Sequence, residues 1–446
     1  MRAEKRKRYL VIVLSALLLL TVPAVYLRVL AAAKYINGER ASAITGSYGT
    51  YCDRYGTAFC ADNEETPTLL SNLIGFDGVI ANALESEYSS CLGPRGFKAL
   101  AGLESLEGKQ GAALCTTLLP LSSQEEIAEV YTVGGYNGAV FAYNYVTGEV
   151  YTALSLPGLN YYTEDAPAGA YFNKAINGTY TPGSTMKIVA LVCALQQKGL
   201  DVEDFIYDCE GYWELPDGNT IWCTGAHGYG LTIADAIGLS CNCFIAQLAS
   251  RFEREETAEI MTHLGFDFNH QEAGERYVDS LWRSNGSMTF RSTMAFQDLW
   301  GFVGQGDTLA APIDMAMIAG AIANEGTVAE PYLVERITDM DDDDVRYESG
   351  EAREVKLFSA KVAQQADEIW SEGYETYYWT TNPLISYMKT GTAECGDGVI
   401  NRSLVGVIKE YNTAFFIYVE DVWSGADHCF AVADALSVEL QKNLGW

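Results

Sequence analysis

Tyr180 to Val192 read "YTPGSTMKIVALV". A proline-glycine turn leads into an apolar run, with Ser184 at the joint and Lys187 three residues on. The pattern predicts a helix from near Ser184 to Gln197, with Gly199 as its C-terminal cap. Residues three apart share a helix face, so Ser184 and Lys187 meet if Ser184 opens the helix. Serine is a weak nucleophile at neutral pH and needs a base beside it. A helix N-terminus adds unpaired N–H groups and partial positive charge, which favour a developing anion. Lysine acts as a base only when burial or a neighbouring cation lowers its pKa. The run "IVALVCAL" after Lys187 favours burial. The same spacing also fits a plain helix cap, so the reading depends on two further stretches.

The first is Ser240-Cys241-Asn242, in "GLSCN" between two helical runs. A hydroxyl and an amide there suit proton relay and the holding of a substrate amide. An ordinary polar turn has the same composition. The second is "KTGT", Lys389 to Thr392, at the end of a strand-like run. A lysine and a threonine hydroxyl suit a carboxylate. Gly391 suggests room for a substrate backbone to approach or to pair as an added strand.

Outward from these stretches, the alternating "AVFAYNYVTGEVYTALSL" predicts a hairpin turning at Thr147-Gly148. In "LTIADAIGL", Thr232 and Asp235 have capping-box spacing, and "CFIAQLASRF" predicts the next helix. A further helix starts at Pro312 and ends before Gly326. "TDMDDDDVRYESGE" reads as a solvated loop with no ligand assigned. "LISYMKTGTAE", "RSLVGVIKE" and "NTAFFIYVED" are strand-like, and a closing helix lies near "FAVADALSVELQKNL". Strands, helices, strands and a last helix predict an α+β domain with one antiparallel sheet flanked by helices. No internal repeat is present.

The 446 residues are 48% apolar, which suits a folded body. With 59 Asp+Glu against 29 Lys+Arg, the formal charge of −30 excludes a nucleic-acid binder, which needs a basic face. The N-terminus departs from this balance. Arg2, Lys5, Arg6, Lys7 and Arg8 precede an uncharged run from Tyr9 to Leu27, closed by Arg28. At about 1.5 Å per residue this run just spans a bilayer core. The charge bias puts the N-terminus in the cytoplasm and the body outside. A cleaved signal peptide, cut near "LAAAK", is the alternative, and it exports the body equally. The expected divisions are a cytoplasmic tail 1–8, an anchor 9–28, a short pedestal-like N-terminal region 35–133 and a main domain 134–446. The last boundary is set at the glycine-rich "VGGYNGAV". Eleven cysteines leave at least one thiol unpaired. Cys209 and Cys223 flank a hairpin turning at "PDG" and could face each other; free half-buried thiols are the other reading. The four histidines are scattered, and no Cys–His spacing resembles a zinc site.

S-x-x-K, a serine-x-asparagine motif and K-T-G in this order resemble the penicillin-binding protein transpeptidases, class B type. "FNKAINGTYTPGSTMKI", "CTGAHGYGLTIADAIGLSCNCFIAQLA" and "GQGDTLAAPIDMAMIAGAIANEGTVAEPYLV" are similar to that family, as is the arm "GTYCDRYGTAFC". The resemblance implies a penicillin-binding/serine β-lactamase-like fold behind a membrane anchor. It implies a peptidoglycan D,D-transpeptidase working at the cell membrane, with its catalytic domain outside. Ser184 would attack the penultimate D-Ala of a stem peptide ending in D-Ala-D-Ala, and Lys187 would take its proton. Ser240 and Asn242 would relay protons and orient the donor. Lys389 and Thr390 would bind the terminal carboxylate beside Gly391, and the N–H groups of Ser184 and Thr392 would form the oxyanion hole. β-Lactams would be trapped at Ser184. No metal or organic cofactor is implied. The class pairs with a membrane glycan polymerase, a contact that nothing in this sequence fixes. Three departures stand out: Met388 where the family has glycine, which would narrow the pocket; Cys241 in the middle of the second motif; and "SLVGVI" where aromatic residues are usual. A D,D-carboxypeptidase or a serine β-lactamase on the same fold are the alternatives. The β-lactamase needs a deacylating glutamate, for which Glu253, Glu255 and Glu256 are surface candidates.

Overall fold

The computed structural model describes residues 49–59, 68–75, 80–92, 112–159, 166–167, 169–293, 295–339, 344–378, 382–396, 398–420 and 428–445. The tail 1–8 and the anchor 9–28 lie outside them. Among the described residues no helix is long and apolar enough to cross a membrane.

The N-terminal part supplies strands β1 (Thr50–Cys52) and β2 (Ala112–Thr116) and helix α1 (Leu121–Gly134). The alternating run then forms the hairpin β3 (Asn137–Asn144) and β4 (Val150–Leu156), paired antiparallel. Its turn is fixed by Asn144, whose Oδ1 accepts N–H bonds from Val146 (2.9 Å) and Thr147 (3.1 Å). Gly148 follows at φ +84°, where a Cβ would strike the Glu330 carbonyl. Next come helices α2 (Met186–Gln196), α3 (Ile233–Gly238), α4 (Asn242–Ala249), α5 (Phe296–Phe302) and α6 (Pro312–Ala323). Strands β5 (Val334–Asp339) and β6 (Val345–Glu348) precede the long helix α7 (Ala360–Tyr377). The chain closes with β7 (Tyr387–Glu394), β8 (Ile400–Ile408), β9 (Thr413–Glu420) and helix α8 (His428–Leu444).

The central sheet has the order β7-β8-β9-β3-β4, antiparallel throughout, so the first hairpin completes a sheet begun by the last three strands. Every residue from Thr413 to Val419 is buried, whichever face it points to. Both faces are therefore covered. Helix α6 packs on β9, β8 and β3, and α8 packs on β8 and β9 together with α1. One apolar core runs from Tyr51 to Leu440, and Trp370 of α7 is its largest fully buried side chain. The order of elements is the α+β arrangement expected.

Two expectations change. The glycines at 134–135 are not a linker. Gly134 is the last residue of α1 and Gly135 is its left-handed C-cap at φ +68°. Tyr131 of α1 donates to the Tyr418 carbonyl (2.9 Å), so α1 belongs to the main body and a boundary at 133/134 cuts through it. The acidic stretch is not all loop either. β5 and β6 pair antiparallel around it, and β5 also pairs with β2, which runs parallel to β1. The N-terminal region thus shares a four-stranded sheet with a hairpin from the body.

Candidate active site

The turn before α2 brings Ser184 to the end of the sheet. Gly183–Thr185 form a short 3-10 turn, with Gly183 at φ +56°. A Cβ on Gly183 would lie 2.5 Å from the Thr392 carbonyl oxygen and 2.7 Å from its nitrogen, so only glycine lets this turn rest on β7. The Pro182 carbonyl accepts from Thr185 Oγ1 (2.7 Å) and Ser403 Oγ (2.6 Å), which closes the turn on itself and pins it to β8.

Lys187 is fully buried, one helical turn beyond Ser184. Its Nζ lies 2.9 Å from Ser184 Oγ, 2.6 Å from the Ser240 carbonyl, 3.0 Å from Ser240 Oγ and 2.7 Å from Asn242 Oδ1. Burial pulls its pKa down to about 7, and the Lys389 charge adds to the shift; Cys223, Cys241 and Cys243 oppose it. A neutral amine has two N–H donors and one lone pair. The Ser240 carbonyl and Asn242 Oδ1 can only accept, so they take both donors. The lone pair is left to the two hydroxyls, Ser184 Oγ at 2.9 Å and Ser240 Oγ at 3.0 Å, the arrangement of a general base beside a relay hydroxyl.

The second motif sits on a break between helices. The capping box of α3 forms as the spacing predicts: Asp235 N–H donates to Thr232 Oγ1 (3.2 Å) and Thr232 N–H to Asp235 Oδ2 (2.9 Å). Tyr377 OH donates to Asp235 Oδ1 (2.6 Å) and ties α7 to α3. After α3 the chain reverses at Ser240, which holds φ +59°. A left-handed serine costs roughly 1–3 kcal/mol, which the surrounding contacts offset. Asn242 Nδ2 donates to the Trp222 carbonyl (2.8 Å), which aims its Oδ1 at Lys187.

In the third motif Lys389 is fully buried and donates to Ser240 Oγ (3.1 Å), Tyr378 OH (3.2 Å) and the Thr390 carbonyl (3.0 Å). Tyr378 OH also accepts the Thr390 N–H (3.2 Å) and bonds Thr390 Oγ1 (3.0 Å). Thr392 is exposed, and its Oγ1 accepts from Arg402 Nη1 (2.6 Å). The four residues of the first two motifs and Lys389 of the third therefore meet.

Two motif residues behave differently from expectation. A Cβ on Gly391 would run into Ser403 Oγ and the Pro182 carbonyl, so the space beside it is filled by the protein's own turn rather than left for a substrate. Met388 is buried in the apolar core, its carbonyl accepts from Trp370 Nε1 (3.3 Å), and it does not line the cleft, so it does not narrow it.

Ser184, Ser240, Asn242, Thr390 and Thr392 open onto a cleft of about 530 Å³. Phe296, Trp300 and Val303 form an apolar wall, with Phe296 and Trp300 stacked at 5.6 Å between ring centres. Gln297, Gln305 and Thr224 add polar groups, and Glu394 is the one acid among the described residues lining it. Glu256 pairs instead with Lys198 (2.9 Å). Sequence reading missed Tyr378 and the Phe296–Trp300 wall; neither stands in a motif, and only the tertiary fold brings them to the site.

It also missed one grouping. Ligand atoms of Cys209, Cys223, His227 and Cys241 all lie within 4.8 Å of one another. The hairpin turning at "PDG" forms, Tyr212–Glu214 pairing with Thr220–Trp222, and it carries Cys223 beside Cys241. The described cysteines are all free, Cys209 and Cys223 included. The histidines are scattered along the chain, yet His227 is not isolated in space.

Residues 138–427 match the family model "Penicillin binding protein transpeptidase domain". The peptidoglycan D,D-transpeptidase MrdA of Acinetobacter baumannii is 26% identical over 293 residues, covering 59% of this chain and 42% of that protein. PbpA of Mycolicibacterium smegmatis is 23% identical, covering 62% of this chain and 57% of that protein. The chain thus spans about half the length of these relatives. Among solved structures, PBPA from Mycobacterium tuberculosis superposes with a TM-score of 0.72 at 19% identity, covering 88% of this chain and 99% of that one. The same protein has been solved as an imipenem acyl-enzyme, with a TM-score of 0.73 at 19% identity and covering 88% of this chain and 99% of that one. The match extends over more than half of the sequence and contains all three motifs: this chain belongs to the penicillin-binding protein transpeptidase domain family.

Proposed function

We propose that the protein is a peptidoglycan D,D-transpeptidase that crosslinks stem peptides through an acyl-enzyme at Ser184. The observation that carries this is the buried Lys187 amine, its pKa drawn down to about 7 by burial, with Ser184 Oγ 2.9 Å from its nitrogen. Ser184 Oγ attacks the carbonyl of the penultimate D-Ala, and Lys187 takes its proton. The tetrahedral oxyanion is held by the backbone N–H groups of Ser184 and Thr392. Collapse breaks the peptide bond; the proton returns to the departing D-Ala amine through Lys187 and Ser240 Oγ. The amine of a neighbouring stem then attacks the acyl carbonyl, frees Ser184 and forms the crosslink. Thr390 holds the donor's terminal carboxylate, with the Lys389 charge behind it and Tyr378 positioning both. A β-lactam follows the first half of this path. Its leaving amine stays tethered, so the acyl group persists on Ser184.

The run Tyr9–Leu27 tethers the body to the cell membrane, and the catalytic domain works outside, where a membrane glycan polymerase of this enzyme class supplies strands. A D,D-carboxypeptidase differs only in passing the acyl group to water. A serine β-lactamase is disfavoured, because none of Glu253, Glu255 and Glu256 lines the cleft and Glu256 pairs with Lys198 (2.9 Å). The test is incubation of the full chain with a pentapeptide donor and an amine acceptor, read by mass spectrometry. Joined peptides with D-Ala released are expected. Tetrapeptide alone would make it a carboxypeptidase, and no D-Ala release would overturn the reading.

A further inference from the structure

We infer that Cys209, Cys223, His227 and Cys241 hold one zinc ion, and that this ion pins the second catalytic motif; the latter part rests on the acyl-enzyme reading. The four residues follow a C-x13-C-x3-H-x13-C spacing. Cys223 Sγ and Cys241 Sγ are 3.6 Å apart, and Cys209 Sγ and His227 Nδ1 are also 3.6 Å apart. A disulfide would need about 2.05 Å. Thiolates at about 2.3 Å and an imidazole at about 2.0 Å from a tetrahedral ion stand roughly 3.5–3.8 Å from one another, which the two separations match. Backbone N–H groups supply the secondary bonds that thiolate ligands need. Asn242 N–H (3.0 Å) and Cys243 N–H (3.4 Å) donate to Cys223 Sγ, and Phe244 N–H (3.4 Å) donates to Cys241 Sγ. Three thiolates and one imidazole favour zinc over magnesium or calcium. Four protein ligands close the coordination sphere, which marks a structural ion rather than a Lewis acid for the reaction.

Its placement gives it work in catalysis by position. Cys241 lies between Ser240 and Asn242, the two residues that take the Lys187 donors. Trp222, whose carbonyl fixes the Asn242 amide, directly precedes Cys223. An ion joining Cys223 to Cys241 therefore clamps the hairpin to the left-handed turn at Ser240. Metal loss frees that turn, and the two acceptors that hold the Lys187 amine beside Ser184 lose their placement.

The test uses the full chain in detergent, dialysed against zinc chloride and then freed of excess metal. About one zinc per chain is expected by elemental mass spectrometry. Cys209→Ser and His227→Ala, neither of which contacts Lys187, should lower metal affinity by more than the roughly 10–100-fold that loss of an outer-shell partner costs, and Cys91→Ser should not. Stripping wild type with a chelator should slow acylation by a fluorescent penicillin about tenfold or more, and zinc should restore it. Substoichiometric zinc in wild type, or an affinity unchanged from wild type in both ligand variants, overturns the site. Full zinc with acylation unchanged by stripping overturns the pinning role. Zinc-loaded wild type that no penicillin acylates overturns the catalytic reading, and the metal stoichiometry still decides the site.

Discussion

At the scale of single residues, the chemistry depends on which protonation state Lys187 holds. Its ammonium loses its proton at about pH 7, so acylation should rise as pH climbs through that value and level off above it. Lys389 lies against the same hydroxyl of Ser240, and its charge helps hold Lys187 down. Removing that charge in Lys389→Ala should move the rising limb of the rate–pH curve upward; stopped-flow acylation across pH reads it directly. Lys187→Ala should lower the acylation rate by roughly 10²–10⁴-fold above about pH 7, the gap narrowing as pH falls and the wild-type amine protonates. Tyr378→Phe removes one hydroxyl that touches both Lys389 and Thr390. A loss of about 0.5–1.5 kcal/mol per bond predicts a several-fold weaker kcat/KM for a substrate bearing the carboxylate, with a smaller change for one lacking it. Ser184, Lys187, Ser240, Asn242 and Lys389 were all legible in the sequence, because their chemistry travels with fixed local spacing. Tyr378 was not, since its role comes from where α7 ends relative to β7.

At the scale of elements, legibility followed how local the signal is. The turn at Asn144–Gly148, the capping box of α3 and the proline start of α6 are each written within a few residues, and each forms. Gly391 was misread because sequence alone does not say whose atoms fill the space beside a glycine. Here they are Pro182 and Ser403, so Gly391→Ala should push the Ser184 turn off β7. The expected result is a lower Tm together with at least tenfold slower acylation. The grouping of His227 with three thiols was likewise invisible, because it needs the hairpin Tyr212–Trp222 to fold back over the start of α4. Helix α7 is held by Trp370, whose indole N–H reaches the Met388 carbonyl at the root of the third motif. Trp370→Ala should cost about 3–5 kcal/mol of stability, read as an earlier denaturant midpoint.

At the scale of the whole molecule, one large apolar cluster joins described residues of the N-terminal region to the body, with a small separate cluster of Ile80, Ala83, Leu159 and Ala170 beside it. The boundary at 133/134 is misplaced because a helix cap and a linker share glycine-rich composition, and only the packing of α1 against α8 separates them. Strands β1 and β2 cover the edge of β5. Deleting residues 35–120 should therefore expose that edge and reduce soluble yield, whereas deleting residues 1–34 should leave acylation intact. The formal charge of −30 repels an anionic wall peptide at long range, so the buried charge of Lys389 must supply the attraction locally.

Intact-mass spectrometry of the full chain and its Ser184→Ala variant after mixing with a penicillin, followed over hours, tests the central claim most directly. A persistent adduct of one penicillin on wild type and none on the variant is the expected result. An adduct on neither, or on both alike, would contradict acylation at Ser184.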